Sequence, residues 1–469
     1  MTYPETLEYL YSQMPEYQWI GHKAYKEGLD NSLALDGIFN HPHYRFKSIH
    51  VGGTNGKGSV SHLLAAILQE AGYRVGLYTS PHLIDFRERI KVNGRMIPEE
   101  YVVEFVDRYK ALFEPVMPSF FELTMAMAFL YFAEQAVEVA VVEVGLGGRL
   151  DSTNIISPDL SVITNIGRDH VKILGNSLPE IAAEKAGIIK PHTPVLIGEA
   201  GNSDVERVFT EKAASLNAPL FFAERKRADF IAMRKEANST VERQTDFTKR
   251  QLIGSRTELP PPPTIKQNQS HWLFHANGYP PFTSQLNGWA QDKNARTVLT
   301  AVDLLLEKGY TIPREAVLIG FARVVDTTGL MGRWQSLQSS PSSPRTICDI
   351  AHNAHGIRHV AEQLRSEPYD HLHIVFGMAN DKEVDAVLSL LPKEATYYFT
   401  RATIDRALNE EELATKATAH GLKGLTYPTV PDAVNAARKN ADKERDLLFI
   451  SGSAFIVAEA LSLLTVLSN

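Results

Sequence analysis

The chain has 469 residues, 44% of them hydrophobic and 22% charged, with a formal net charge of −7. That length allows two or three domains with separate cores, and the acidic balance offers no broad basic field for nucleic acid. The single cysteine, Cys348, excludes an internal disulfide framework or a cysteine-based zinc cluster, and it suits a reducing compartment. The opening Met1-Thr-Tyr-Pro-Glu-Thr lacks the basic start and apolar core of a secretory signal, and no apolar run reaches the roughly 18 residues of a membrane span. A cytoplasmic protein with no membrane partner is expected.

The most informative stretch comes early. Residues 46–59, Phe-Lys-Ser-Ile-His-Val-Gly-Gly-Thr-Asn-Gly-Lys-Gly-Ser, read as a strand entering a glycine-rich phosphate loop. Phe46, Ile49 and Val51 give the strand its apolar positions, and Gly52, Gly53, Gly56 and Gly58 let backbone N–H groups turn toward an anion. Val60, Leu63, Leu64, Ile67 and Leu68 then recur at helical spacing, so a helix from Ser59 aims its positive end at the phosphates. Lys57 adds a point charge where β- and γ-phosphates would lie. The common loop G-x-x-x-x-G-K-[ST] would require glycine at Val51 and a hydroxyl at Gly58, whereas here Ser59 follows one residue later.

From Phe46 to about Pro219, β-rich runs alternate with helical patterns: Arg74–Thr79, Val137–Val144, Leu160–Ile166 and Pro194–Ile197. This predicts a parallel sheet covered by helices, with ligands beyond the carboxyl ends of its strands. Three of those ends carry candidate cation ligands. Ser80 follows the first run, Glu143 ends the second, and His170 follows the third in Thr-Asn-Ile-Gly-Arg-Asp-His; a carboxylate at such a place can hold Mg²⁺ against a triphosphate. Lys185, at a helix C-terminus, reads as a solvated lysine.

Residues 224–281 carry Arg/Lys clusters, the Pro260–Pro263 run and little helical or strand signal, which predicts a surface excursion or an irregular β-meander. Periodicity returns in a helix over Asn294–Lys308, and a connector follows through Arg333. Beyond it, strand signals at Arg345–Ile350, His371–Phe376, Ala395–Phe399 and Asp446–Ser451 alternate with helical stretches and end in a helix over Ala454–Leu464. The fold class expected is α/β: a P-loop-type parallel-sheet ATP-binding domain, then a smaller Rossmann-like α/β domain. The expected boundaries are 1–323, a connector 324–333, and 334–469. Asp349 and His352, at a strand end, form a candidate acid/base or nucleotide-contacting pair. Arg333 could reach into the cleft to neutralise a transferring phosphoryl group. Neither internal repeats nor coiled-coil heptads support a purely structural role.

Together these segments resemble the Mur ligase family, specifically its folylpolyglutamate synthase/dihydrofolate synthase branch. The resemblance rests on the order and spacing of Gly53-Thr-Asn-Gly-Lys-Gly-Ser59, Tyr78-Thr-Ser-Pro-His-Leu83, Ser119-Phe-Phe-Glu-Leu-Thr124, Glu143-Val-Gly-Leu-Gly-Gly-Arg-Leu-Asp151, Ile163–His170 and Glu184–Lys190. It implies that Thr54, Asn55, Gly56, Lys57, Gly58 and Ser59 bind ATP with Asn294, Arg333 and Asp349, and that Ser80, Glu143 and His170 hold Mg²⁺. It also implies a carbamylated Lys185, a His352 beside the reacting phosphate, and pterin-substrate contacts at Phe120, Phe121, Glu122 and Asp151. Ala290-Gln291 stands where the family has His-Gln, Ala354 where proline is common, and Arg168 where leucine is frequent.

The reaction so implied is ATP-dependent ligation. A substrate carboxylate becomes an acyl phosphate, and the amine of L-glutamate displaces the phosphate. The expected partners are a pterin or folate carboxylate and L-glutamate, and the expected state is a monomer. A peptidoglycan-precursor ligase is the rival within the family, but only about fifty residues precede Gly53, too few for an ordinary nucleotide-sugar domain. A non-catalytic ATP-binding switch is the rival of another class, predicting ATP binding without glutamate-dependent turnover.

Overall fold

The computed structural model describes residues 1–13, 28–235, 271–337 and 343–466. Strands β1 (Lys47–Gly52), β2 (Val75–Tyr78), β3 (Ile90–Val92), β4 (Arg95–Met96), β5 (Val139–Glu143), β6 (Leu160–Asn165), β7 (Val195–Glu199) and β8 (Leu220–Phe222) form one sheet in the order β4-β3-β2-β5-β1-β6-β7-β8. Six of them run parallel, while β3 and β4 add an antiparallel edge. β1 lies between β5 and β6, and the chain passes from one side of it to the other, which opens a crevice at the carboxyl end of β1. The central strands are buried along nearly their whole length because helices cover both faces; Ile49, Val51, Val141 and Val162 are fully buried.

The helix after the loop spans Lys57–Glu70 and starts two residues earlier than its apolar periodicity predicts. Gly56, at φ +84°, turns the chain straight into the helix, and no side chain caps it, so the first N–H groups stay directed at the loop. Its apolar residues Leu63, Leu64, Ile67 and Leu68 are buried between the sheet and the helices Gln291–Glu307 and Arg314–Ala322.

In the stretch read as a surface excursion, a short helix, Ala223–Lys226, precedes β9 (Ile231–Lys235), β10 (His271–His275) and β11 (Phe282–Thr283), which form a three-stranded antiparallel sheet. The buried Phe274 and Phe282 join this sheet to the first core; the Pro260–Pro263 run lies outside the described residues. The stretch expected to be a connector opens as a helical turn, Val324–Thr328, before Gly329, with Val324 buried in the first core.

The second α/β unit contains β12 (Gln335–Leu337), β13 (Arg345–Cys348), β14 (Leu372–Phe376), β15 (Thr396–Thr400), β16 (Lys423–Tyr427) and β17 (Leu447–Ser451), in the order β12-β13-β17-β14-β15-β16. All but β12 are parallel. β12 and β16 carry no sequence signal: the first is a short antiparallel strand, and the second is an exposed edge with Lys423 and Gly424 at its start. Cys348 is a fully buried strand residue whose thiol is pushed up by burial. Among the described residues, no helix is long and apolar enough to cross a membrane.

Candidate active site

The phosphate loop is tied down on both sides. Thr54 and Asn55 donate their N–H groups to the Asn165 carbonyl and side-chain oxygens, each at 2.9 Å, and the Thr54 hydroxyl donates to the Gly167 carbonyl at 3.1 Å. Gly56 must be glycine twice over, because a Cβ there would meet Asn294 Oδ1 at 2.4 Å in addition to the positive φ. Asn294 therefore backs the loop and donates to Gln291, whose own side chain donates to Ser59 Oγ at 3.3 Å. Lys57 folds its ammonium over the loop, donating to the carbonyls of Gly53 and Thr54 at 3.1 Å each.

At the adjoining strand ends, Glu143 is buried, and burial raises its pKa against the opposing pull of Lys57 and Arg333. One of its oxygens accepts the Ser80 N–H at 3.2 Å. His170 is half-buried with its pKa well below the usual histidine value, through burial and the Lys382 charge, so its ring is neutral and able to coordinate. No group of three or more His, Cys, Asp or Glu side chains among the described residues could hold a metal alone. Ser80 and Glu143 adjoin, and His170 lines the cleft between the two units beside Ser80 but not Glu143. A single carboxylate is compatible with Mg²⁺, which takes one or two and completes its shell with water and nucleotide phosphates.

Lys185 is not solvated. It is buried, and its Nζ donates to the Gly53 carbonyl at 2.9 Å, while burial and the neighbouring Lys57 lower its pKa to about 7. The helix Leu178–Lys185 ends against the sheet rather than in water.

The second unit reaches the same crevice. Asp349 and His352 do not pair with each other. Asp349 accepts the main-chain N–H groups of Trp334 and Ala351 at 2.8 and 2.9 Å, and burial raises its pKa against the pull of Arg333. His352 turns the other way: Nε2 lies 3.2 Å from Asp169 Oδ2 and Nδ1 lies 3.0 Å from the Ile350 carbonyl. Arg333 is held by the Met331 and Gly332 carbonyls and reaches the back of the phosphate loop, where it shares a small cavity of about 40 Å³ with Gly58, His62, Lys91 and Glu143.

A larger cleft of about 250 Å³ runs between the two units and is lined by Lys57, Ser80, His170, Lys185 and His352. Phe120, Phe121, Glu122 and Asp151 lie along its other wall. Three of these four also hold local structure. Phe120 packs on Tyr11 and Phe86, with the Arg89 guanidinium 5.1 Å from its ring centre. Glu122 accepts the Ser119 N–H at 2.6 Å as half of a capping box, and Asp151 caps the turn Ser152–Ile155 while accepting the Leu146 N–H at 2.8 Å. Phe121 is half-buried and packs over Gly145.

Three residues escaped the sequence reading. Asp169 was visible only as part of a motif, Asn353 as a polar neighbour of His352, and Lys382 sits in Asn380-Asp381-Lys382-Glu383, which has the pattern of an ordinary exposed loop. Lys382 is instead nearly buried and lies 2.5 Å from Asp169 Oδ1.

Residues 51–260 match the Mur ligase middle domain, and residues 332–454 match the Mur ligase glutamate ligase domain. The Bacillus subtilis dihydrofolate synthase/folylpolyglutamate synthase is 30% identical over 449 residues, covering 92% of this chain and 94% of that protein. The structure of Escherichia coli FolC in complex with DHPP and ADP superposes with a TM-score of 0.77 at 25% identity, covering 99% of this chain and 98% of that one. A bifunctional folylpolyglutamate synthase/dihydrofolate synthase with Mn, AMPPNP and L-glutamate bound gives 0.75 at 25% identity over the same shares. The chain belongs to the folylpolyglutamate synthase/dihydrofolate synthase branch of the Mur ligase family.

Proposed function

We propose that this protein is an ATP-dependent ligase that joins L-glutamate to a folate-type carboxylate through an acyl phosphate. The observation that carries the reading is the two-sided cleft. The phosphate loop with Lys57, and the wall with Phe121, come from the first unit, while His352 comes from the second. A carboxylate does not acylate an amine in water unaided, so a phosphorylated intermediate needs both an ATP site and a cleft that excludes water.

In this reading the uncapped helix N-terminus and Lys57 hold the triphosphate, and Asn294 and Asp349 set the nucleotide side. Arg333 balances charge on the transferring phosphoryl group from behind Gly58. Glu143, His170 and the Ser80 hydroxyl would hold Mg²⁺, which when bound neutralises phosphate charge. Phe121 and the wall around it would take the flat pterin ring by its face. His352 would stand beside the reacting phosphate. Lys185, carbamylated, would become an anion next to Lys57 and the metal region. Both walls come from one chain, so a monomer can carry the whole site.

The test is ADP release by purified protein with L-glutamate, run in parallel with dihydropteroate and with a tetrahydrofolate. Glutamate-dependent turnover on either acceptor supports the reading and assigns the activity. ATP binding without such turnover on either one overturns it in favour of a switch.

A further inference from the structure

We infer that Asp169 is a positioning residue for ligation: the single carboxylate of the first unit on which the second unit's His352, Asn353 and Lys382 are registered. The inference rests on the ligase reading and goes beyond it by naming what aligns the two halves of the site. Each Asp169 oxygen takes two donors. Oδ1 accepts the His170 N–H at 2.8 Å and faces Lys382 Nζ at 2.5 Å; Oδ2 accepts Asn353 Nδ2 at 3.1 Å and faces His352 Nε2 at 3.2 Å. The carboxylate is saturated, and three of its four partners belong to the second unit.

These partners come from two separate segments, the turn after β13 and the loop after β14, so one carboxylate fixes two points of the same rigid body. The centre of the contact is enclosed, while His352, 32% exposed, lies open to the cleft. The side chains of Asp169 and Lys382 are 8% and 9% exposed, so removing one partner leaves the other charge buried and uncompensated, a larger loss than breaking a surface ion pair. Asn353 extends the registration to the phosphate loop: its amide exchanges hydrogen bonds with Asn55 at 3.0 and 3.2 Å, while its Oδ1 also caps the helix Ala354–Ser366 through the Gly356 N–H. Loop, carboxylate and His352 therefore move as one unit when the cleft is closed. Asp169 need not touch a reacting atom, since its effect is on where His352 and Lys382 stand relative to the phosphate loop.

The test uses the full chain with Asp169→Asn, Lys382→Met and the double substitution. Asparagine keeps the shape but turns an N–H toward two donors. Expected are an Mg²⁺-ATP dissociation constant within about twofold of wild type, and a kcat lower by about tenfold or more, since small misplacements at a reacting centre carry such losses. Faster hydrogen exchange is expected in the peptide covering 352–366, and the double substitution should cost less than the two single losses combined. Unchanged kcat and exchange in Asp169→Asn would overturn the inference; so would loss of Mg²⁺-ATP binding, which would place its effect on His170 instead. If Asp169→Asn does not fold, the exchange of Lys382→Met decides in the same way. Hydrogen exchange reads domain registration even if wild type shows no ligation, so failure of the ligase reading remains distinguishable.

Discussion

Lys57 and Lys185 donate to one acceptor, the carbonyl oxygen of Gly53, at 3.1 and 2.9 Å. Burial of Lys185, with the repulsion of a second ammonium group on the same oxygen added to it, brings its pKa down to about 7. From that value its amine is about one-tenth neutral at pH 6 and about nine-tenths neutral at pH 8. A neutral amine adds CO₂ and releases a proton, which would replace the repulsion with a carbamate beside Lys57. Protein equilibrated with ¹³C-bicarbonate should show a carbamate resonance that grows between these pH values and is missing in Lys185→Met. A resonance of equal size in both proteins would sink the assignment.

The same burial makes Lys185 costly to the fold in CO₂-free buffer. The unfolded chain keeps this proton up to about its ordinary 10.5, whereas the folded chain releases it near 7, so this lysine's contribution to stability rises with pH between the two values. Below pH 7 the penalty is complete. Lys185→Met should therefore melt higher than wild type at pH 7, by a margin that shrinks toward pH 10, and it should not turn over. A lower melting temperature at pH 7 would mean that the Gly53 hydrogen bond outweighs the buried charge.

Gly58, which departs from the common phosphate-loop pattern, is explained by a side chain 275 positions away in sequence: a Cβ there would lie 2.9 Å from Arg333 Nη2. The neighbour is the flexible end of an arginine, so Gly58→Ala should displace Arg333 rather than unfold the helix. Alanine is the better helix former by about 0.5–1 kcal/mol, and the melting temperature should not fall. The loss should appear in kcat, by about tenfold or more, as expected when one charge-stabilising donor is moved. A variant with wild-type kcat would show that Arg333 does not act from this position.

Much of the architecture was legible because two periodicities carried it. Continuous apolar runs such as Val139–Glu143 mark strands buried on both faces, and Leu63, Leu64, Ile67 and Leu68 mark the loop helix. The loop could be read because glycine and lysine are costly unless used. What stayed hidden depends on contacts distant in sequence. The burial of Lys185 against Gly53, the turn of His352 away from Asp349 toward Asp169, and the burial of Lys382 all require that two units be docked. The strand β16 stayed hidden for a local reason, since a solvated edge needs no apolar alternation.

A second joint between the units lies at Glu367, whose side chain is 1% exposed and accepts Arg234 Nη2 from β9 at 3.2 Å and Arg345 from β13. Removing its charge leaves two guanidinium groups facing an uncharged amide in a mostly buried place. Glu367→Gln should cost about 3 kcal/mol of stability, the range for breaking a buried pair from one side. Urea denaturation would measure it, and a cost below that of an ordinary surface pair would show that the contact is solvated in solution.

Glu143 gives the sharpest test of the metal assignment, because its effects on the free and the loaded protein differ. Burial raises its pKa, so its contribution to stability is present below its unfolded value and is lost as pH rises through the folded one; at neutral pH the charged form is a burden on the free fold. Glu143→Gln should therefore fold at least as well as wild type at pH 7. A ligand present at a hundred times its dissociation constant stabilises the folded state by about 2.7 kcal/mol, and wild type should gain that much from Mg²⁺ and ATP together. In Glu143→Gln the added gain from Mg²⁺ over ATP alone should vanish, while ATP alone still stabilises through Lys57 and the helix N-terminus. Thermal melts with ATP, with Mg²⁺ and with both separate these terms. If Mg²⁺ adds the same increment to both proteins, the ion is not held by Glu143.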